Sequence, residues 1–438
     1  MPSPDTPIFA HPAAHLIPVS AHLSQLMEIP PSRMFLIKKS LAEFQKNHPG
    51  EQVYDASQGD GGASLGGVPP EILQLAAEKQ IKQGTAYDMP YGTAAFRRSV
   101  LENYWQVDAS LGLAPENVVA AAGGRDGLAK AYTAMLSLGH GRQGDLLLVS
   151  RVPWVSYNWG PYALGANVLH APGSPDDGWG YTEAGIQASV AFARRHGREI
   201  AGIIITSPDN PTGRTLSARQ QIELARCALR AGIAYVLFDW IYHYITDEAP
   251  ININEILGAV TPDERARVII LDGITKSLGG SSIRNAHLIA SRPVADFIVA
   301  HASHTVIPSF FSMAVAQTAY ETGFERAAEA INGPTSASRK ILREFLSANG
   351  FRHIIGQGYY AFIHLRDVLT HAGWADTEPL SEYFGRQHGL AVVPGVYCSD
   401  EGAAWIRFSY ALPPESTTAA LHRLEEGLAA LKSQPAAG

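Results

Sequence analysis

Between residues 117 and 290, short apolar runs alternate with amphipathic stretches, and this alternation constrains the fold more than any other feature of the chain. The runs fall at 117–122, 145–150, 167–170, 202–206, 234–238, 268–272 and 286–290. Each is too short for a typical helix and apolar almost throughout, so each predicts a strand covered on both faces. Helices are expected between them over 125–138, 182–195 and 217–231, the last opening with Ser217 and Gln220 at capping-box spacing. Strands and helices in this order specify an α/β fold whose mainly parallel seven-stranded sheet lies between layers of helices.

From about residue 311 the pattern changes. Helices over 314–321 and 324–349 precede strands at 359–365, 390–394 and 405–409, and a closing helix sets Leu421, Leu424, Leu428 and Leu431 on one face. The expected division is therefore a large domain over 51–310 and a smaller α/β domain over 311–438. Residues 1–50 form an N-terminal arm, with a helix over 31–47 that packs on the small domain.

Composition removes several functions. The net charge is −7 and no Lys/Arg-rich block exists, which argues against a nucleic-acid surface. The only cysteines, Cys227 and Cys398, cannot make a disulfide framework or a paired-cysteine zinc site. No apolar run approaches the roughly 20 residues of a membrane span. The proline-broken first thirty residues lack the basic start and apolar core of a signal peptide, so a cytoplasmic protein is expected. "HPAAH" and "HASH" offer histidine pairs without a third ligand, and they read as solvated or capping side chains, not metal sites.

The chemistry gathers at the strand ends. "LDGITKSLGGSSIRNAHLIAS" sets Lys276 just past one strand and Arg284 just before the next. "SPDNPTGR" holds Asn210 in a proline-fixed loop after another strand. "FDWIY" ends a strand on Asp239, with Tyr242 close behind. "AAGGRDG" presents the N–H groups of Gly124 and Arg125 at a helix start, and "PWVSY" places Trp154 in an aromatic-rich loop. Ligands of open parallel sheets bind outside the carboxyl ends of the strands. Together these groups suit a planar ligand that stacks on Trp154 and carries a phosphate for Gly124, Arg125 and Arg284. Its ring nitrogen faces Asp239, its phenolic oxygen faces Asn210 and Tyr242, and its aldehyde meets Lys276. Pyridoxal 5′-phosphate has these groups.

With "NPTG" at Asn210, Asp239 and Tyr242, Lys276, Arg284 and "WIRFSY" around Arg407 in this order, the chain resembles the class I/II aminotransferases of the fold type I pyridoxal-phosphate enzymes. "YDMPYG" (Tyr87 ahead of Gly92), "GQGYYAF" and "VVPG" fit the same family, and the likeness runs from about residue 30 to 432. The resemblance implies that Lys276 forms the Schiff base and moves the α-proton, that Asp239 keeps the ring nitrogen protonated, and that Asn210 and Tyr242 hold the ring oxygen. Arg407 would clamp the substrate carboxylate beside Asn210 and Gly59 of "GDGGASLGG". Tyr87 would reach the phosphate of a neighbouring subunit, which implies a homodimer with shared active sites.

Four departures stand out. Gly273 occupies a position where the family usually has a phosphate-binding serine, leaving Thr275 or Arg125 to replace it. Trp240 is bulky where the family is small or acidic, Asn285 and Ala286 follow Arg284, and the loop "GDGGASLGG" differs from the family pattern. The leading expectation is amino-group transfer from an amino acid to a 2-oxo acid. The same motifs serve a pyridoxal-phosphate lyase, cyclase or β/γ-replacement enzyme. A ligand-sensing domain of a transcription regulator fits poorly, because no basic helix-turn-helix region accompanies the retained lysine.

Overall fold

The computed structural model describes residues 3–18, 29–140 and 142–436; residues 19–28 of the expected arm lie outside them. The strands are β1 (Ile8–Phe9), β2 (Tyr54–Asp55), β3 (Val118–Ala121), β4 (Leu146–Val149), β5 (Asn167–His170), β6 (Ile200–Thr206) and β7 (Tyr235–Asp239). They continue as β8 (Val268–Asp272), β9 (Ala286–Ile289), β10 (His353–Ile355), β11 (Tyr360–His364), β12 (Leu390–Ala391), β13 (Val393–Pro394) and β14 (Trp405–Ser409).

The large sheet has the order β1-β5-β4-β6-β7-β8-β9-β3. Strands β5, β4, β6, β7 and β8 are mutually parallel. All seven expected strands are present; the eighth, β1, pairs antiparallel with β5. Its two residues are too few to carry a period, so nothing in the sequence marked it as a strand. Side chains alternate faithfully across the sheet. Ile203, Ile205, Val236, Phe238 and Ile270 enter one core, whereas Ile204, Leu237, Ile269 and Leu271 enter the other. Helix Ala218–Ala231 begins with the expected reciprocal cap, Gln220 N–H donating to the Ser217 hydroxyl and Ser217 N–H donating to Gln220 Oε1.

Strand β9 runs antiparallel to both β8 and β3. Its amino end therefore lies with the carboxyl ends of the others. That reversal brings Arg284, which precedes β9, beside the loop that follows β3.

The second sheet, β10-β11-β14-β13, is antiparallel and has its own core, with helix Pro414–Ser433 contributing Leu421, Leu424, Leu428 and Leu431. The run 390–394 is two strands, not one: β12 pairs parallel with β2, while β13 pairs with β14. Helix Met34–Asn47 packs against this part of the molecule, with Ile37 and Leu41 meeting Ala391 and Val393. Among the described residues no helix is long and apolar enough to cross a membrane.

Candidate active site

Lys276 sits in a one-turn helix, Ile274–Ser277, directly after β8. Its ammonium donates to the Gly59 carbonyl. Burial pushes its pKa down to about 8, with Arg407, Arg125 and Arg284 adding to the depression and Asp60 opposing it. The turn is anchored by Asp272, whose carboxylate accepts from Gly273 N–H (2.7 Å) and the Tyr104 hydroxyl (2.6 Å), with His243 Nδ1 3.2 Å away. The Tyr359 hydroxyl donates to the Lys276 carbonyl at 2.6 Å.

Asp239, at the carboxyl end of β7, is 3% exposed. Its carboxylate accepts from the Tyr157 hydroxyl (2.6 Å) and Ile241 N–H (3.2 Å), and among the described residues it makes no ion pair. Burial raises its pKa to about 6. Tyr157, three residues after Trp154 in "PWVSY", is thus this carboxylate's hydrogen-bond partner. Trp154 caps the short helix Val155–Trp159, stands edge-on to Tyr157 and lies under the Arg125 guanidinium at 5.6 Å.

Arg407 lies in the middle of β14, flanked by Phe362 of β11 and Val393 of β13. It is 6% exposed. Its guanidinium donates to Asn210 Oδ1 (2.8 Å) and the Ser57 carbonyl (2.6 Å), while Nε is buried without a partner. No carboxylate among the described residues pairs with it, so it is not the ordinary cross-strand ion pair that its strand position permits. Asn210 Nδ2 in turn donates to the Tyr242 hydroxyl at 3.5 Å, and Tyr242 shares a 2.9 Å hydrogen bond with Tyr360. Burial pushes the Tyr242 phenol well above its ordinary pKa, so it stays protonated.

At the other end, helix Gly124–Leu138 starts after Gly123, which adopts φ 88°. Arg284 lies against that start: a Cβ on Gly123 would collide with its guanidinium. Arg284 itself has φ 60°, a left-handed conformation costing of order 1–2 kcal/mol, and donates to the Ser281 (3.0 Å) and Ala122 (3.2 Å) carbonyls. The Thr275 hydroxyl is buried and unpartnered. Tyr87 stands apart, 95% exposed, on the segment after helix Pro70–Gln83. One chain thus brings together Lys276, Asp239, Tyr242, Asn210, Arg407, Gly59, Thr275, Arg284, Gly124, Arg125 and Trp154, and leaves Tyr87 outside.

The chain matches the aminotransferase class I and II family over residues 56–424. It belongs to that family. An aspartate aminotransferase from Bacillus sp. (strain YM-2) is 22% identical over 361 residues, 82% of this chain and 88% of its own. An aspartate/prephenate aminotransferase from Thermus thermophilus is 25% identical over 362 residues, 81% of this chain and 86% of its own. Among solved structures, an aminotransferase from Mycobacterium tuberculosis has the same fold, with TM-score 0.78 at 20% identity over 94% of this chain and 99% of that one. As a class I/II aminotransferase, the protein is a pyridoxal-phosphate-dependent transferase acting on amino groups.

The residues present fit that cofactor. Among the described residues the buried Asp239 carboxylate makes no ion pair, the Thr275 hydroxyl is buried without a partner, and a glycine helix start lies against Arg284; the complements of these groups are a ring N–H and a phosphate. Three of the four departures from the family pattern also have physical reasons. A Cβ on Gly273 would lie 2.7 Å from the Ala286 Cα and from the Asn285 carbonyl oxygen, so serine has no room there. Trp240 turns away from the site into the core, donating to Gln221 Oε1 at 2.8 Å. The glycine loop contains a single helical turn, Gly61–Ser64, and packs closely on its neighbours: a Cβ at Gly59 or Gly61 would strike the Tyr360 or Tyr359 hydroxyl, and one at Gly62 the Gly279 carbonyl. Asn285 is wholly buried with both polar atoms unpartnered, and nothing in the structure explains it.

Sequence reading missed Tyr359, Tyr360, Asp272 and the partnership of Tyr157 with Asp239. All these residues stand in quoted motifs. Only their positions in space give them partners.

Proposed function

We propose that the protein transfers the amino group of an α-amino acid to a 2-oxo acid in a pocket bounded by Lys276, Asp239 and Arg407. The observation that carries this reading is the buried Arg407 guanidinium, which pairs with no anion among the described residues and lies near enough to Lys276 to add to the lowering of its pKa. When bound, pyridoxal phosphate supplies an electrophilic carbonyl and an electron-withdrawing ring. Asp239 holds the proton on the ring nitrogen. Asn210 and Tyr242 fix the ring oxygen, and Trp154 covers the ring face. Gly124, Arg125, Thr275 and Arg284 hold the phosphate. Arg407 grips the substrate α-carboxylate beside Asn210 and Gly59, so that the α-C–H bond faces Lys276. Lys276, with a pKa near 8, then serves as the base that takes the α-proton and returns it to the neighbouring carbon.

The working unit in this reading is a homodimer in which Tyr87 reaches the partner's phosphate site; its 95% exposure supports that placement. A cytoplasmic setting accords with two cysteines that are buried and unpaired.

A single-turnover assay tests the reaction class. With each of a panel of amino acids and no acceptor, one equivalent of 2-oxo acid should form per site and the reaction should stop. Adding an acceptor 2-oxo acid should restart it. Continuous turnover without acceptor, with release of ammonia or a side-chain fragment, would instead establish a lyase or replacement enzyme.

A further inference from the structure

Tyr360 has no part in the reading above, yet it occupies the centre of the carboxylate end. It is 2% exposed, its ring lies 4.3 Å beneath the Arg407 guanidinium, and its hydroxyl fills the space left by the missing side chain of Gly59. The Gly59 carbonyl in turn accepts from Lys276. The hydroxyl therefore stands between the cation that grips a carboxylate and the lysine that faces the neighbouring carbon.

Tyr242 and Tyr360 are phenols with one proton each, and the 2.9 Å hydrogen bond between them uses one. Asn210 is a donor to Tyr242, so it takes up neither phenol proton. Neither hydroxyl has another hydrogen-bonded acceptor among the described residues. One buried O–H is left over, and buried donors find acceptors.

We propose that Tyr360 is a specificity-determining, substrate-binding residue whose hydroxyl donates to the substrate α-carboxylate alongside Arg407. Carboxylate binding draws the Tyr360 proton away from Tyr242, so the two phenols share their protons between the ring oxygen and the substrate. An uncharged carboxamide gains less from this donor, because hydrogen bonds to charged acceptors are roughly twice as strong. Tyr360 thereby sharpens selection for acids over amides and simple amines. The proposal rests on Arg407 as the principal carboxylate partner.

The test measures calorimetric binding of unreactive acids, butanoate and 3-phenylpropanoate, and of their carboxamides to the holoenzyme and to the Tyr360→Phe and Arg407→Lys variants. Tyr360→Phe should weaken both acids about tenfold, weaken the amides by a clearly smaller factor and melt with the parent. With a reacting amino acid, the loss should fall mainly on KM and little on kcat. Unchanged acid affinity in Tyr360→Phe, or an equal loss for acid and amide, would overturn the role of Tyr360 while a weakened Arg407→Lys leaves the carboxylate site standing. If the parent holoenzyme binds neither acid, or Arg407→Lys binds them normally, the placement of the carboxylate fails and this proposal with it.

Discussion

At the Arg407 end of the pocket, Arg407, Asn210, Tyr242 and Tyr360 are buried and joined to one another, whereas at the Gly124 end Arg125 and Arg284 are exposed. There the Thr275 hydroxyl is unpartnered and Tyr87 projects into solvent. One end is finished within a single chain. The other presents cations and donors that a bound phosphate and, in the proposed homodimer, a second subunit would engage. Binding at the finished end depends on geometry already fixed; binding at the open end depends on what arrives.

Lys276 belongs to both ends, and its loss gives the largest effect. Lys276→Ala should eliminate the borohydride-reducible link to the cofactor and slow proton abstraction about 10²–10⁴-fold, while cofactor still binds through the phosphate groups. A reducible link that persists in this variant would break the assignment. At the finished end, Arg407→Lys replaces a forked donor by a point charge and should raise KM for amino acids about 10²-fold, with little change in cofactor content. Equal losses of substrate and cofactor there would mean that the two ends are not separable.

At the open end, Tyr87→Phe removes one hydrogen bond and should weaken cofactor retention about tenfold without altering Lys276 chemistry. At limiting cofactor, where the Tyr87→Phe dimer is largely empty, mixing it with Lys276→Ala after subunit exchange should raise activity, because one site of the hybrid then carries neither lesion. An active monomer in sedimentation would sink the shared-site arrangement.

The finest test is electrostatic. Folding lowers the Lys276 pKa from 10.5 to about 8, so between those values the unfolded chain binds the extra proton. The apoprotein should therefore gain stability as pH rises from about 8 towards 10.5, and Lys276→Met should flatten that rise. Asp239 gives the opposite slope in a lower window. Its pKa rises from 3.8 to about 6 on folding, and stability should fall as pH climbs through that range. Denaturation midpoints across both windows check the two signs.

The seven main strands were legible because each is a continuous apolar run, and the strand-end positions of Asn210, Asp239 and Lys276 because each follows or closes such a run with recognisable neighbours. What was hidden had no local signal. Strand β1 has two residues and is a strand only because β5 offers it an edge. The break between β12 and β13 follows from pairing with two different sheets. Tyr360 and Tyr359 read as ordinary aromatic residues of a strand, and only tertiary contact separates their tasks: one hydroxyl meets Tyr242 and the other the Lys276 carbonyl. Gly273 read as a lost hydrogen bond. Its neighbours show that it is a steric necessity, where serine would cost about 1–3 kcal/mol.

The glycine loop that roofs Lys276 carries a lesson for anyone redirecting this enzyme. Gly59, Gly61 and Gly62 touch their neighbours with bare backbone, so saturation mutagenesis across residues 59–62 would spend most of its library on chains that cannot close over the lysine. Diversity that survives must come from Asp60, whose side chain already has room beside Ser281, and from Ser64 and Leu65. New substrates would be reached by recolouring those three positions, leaving the shape of the roof untouched.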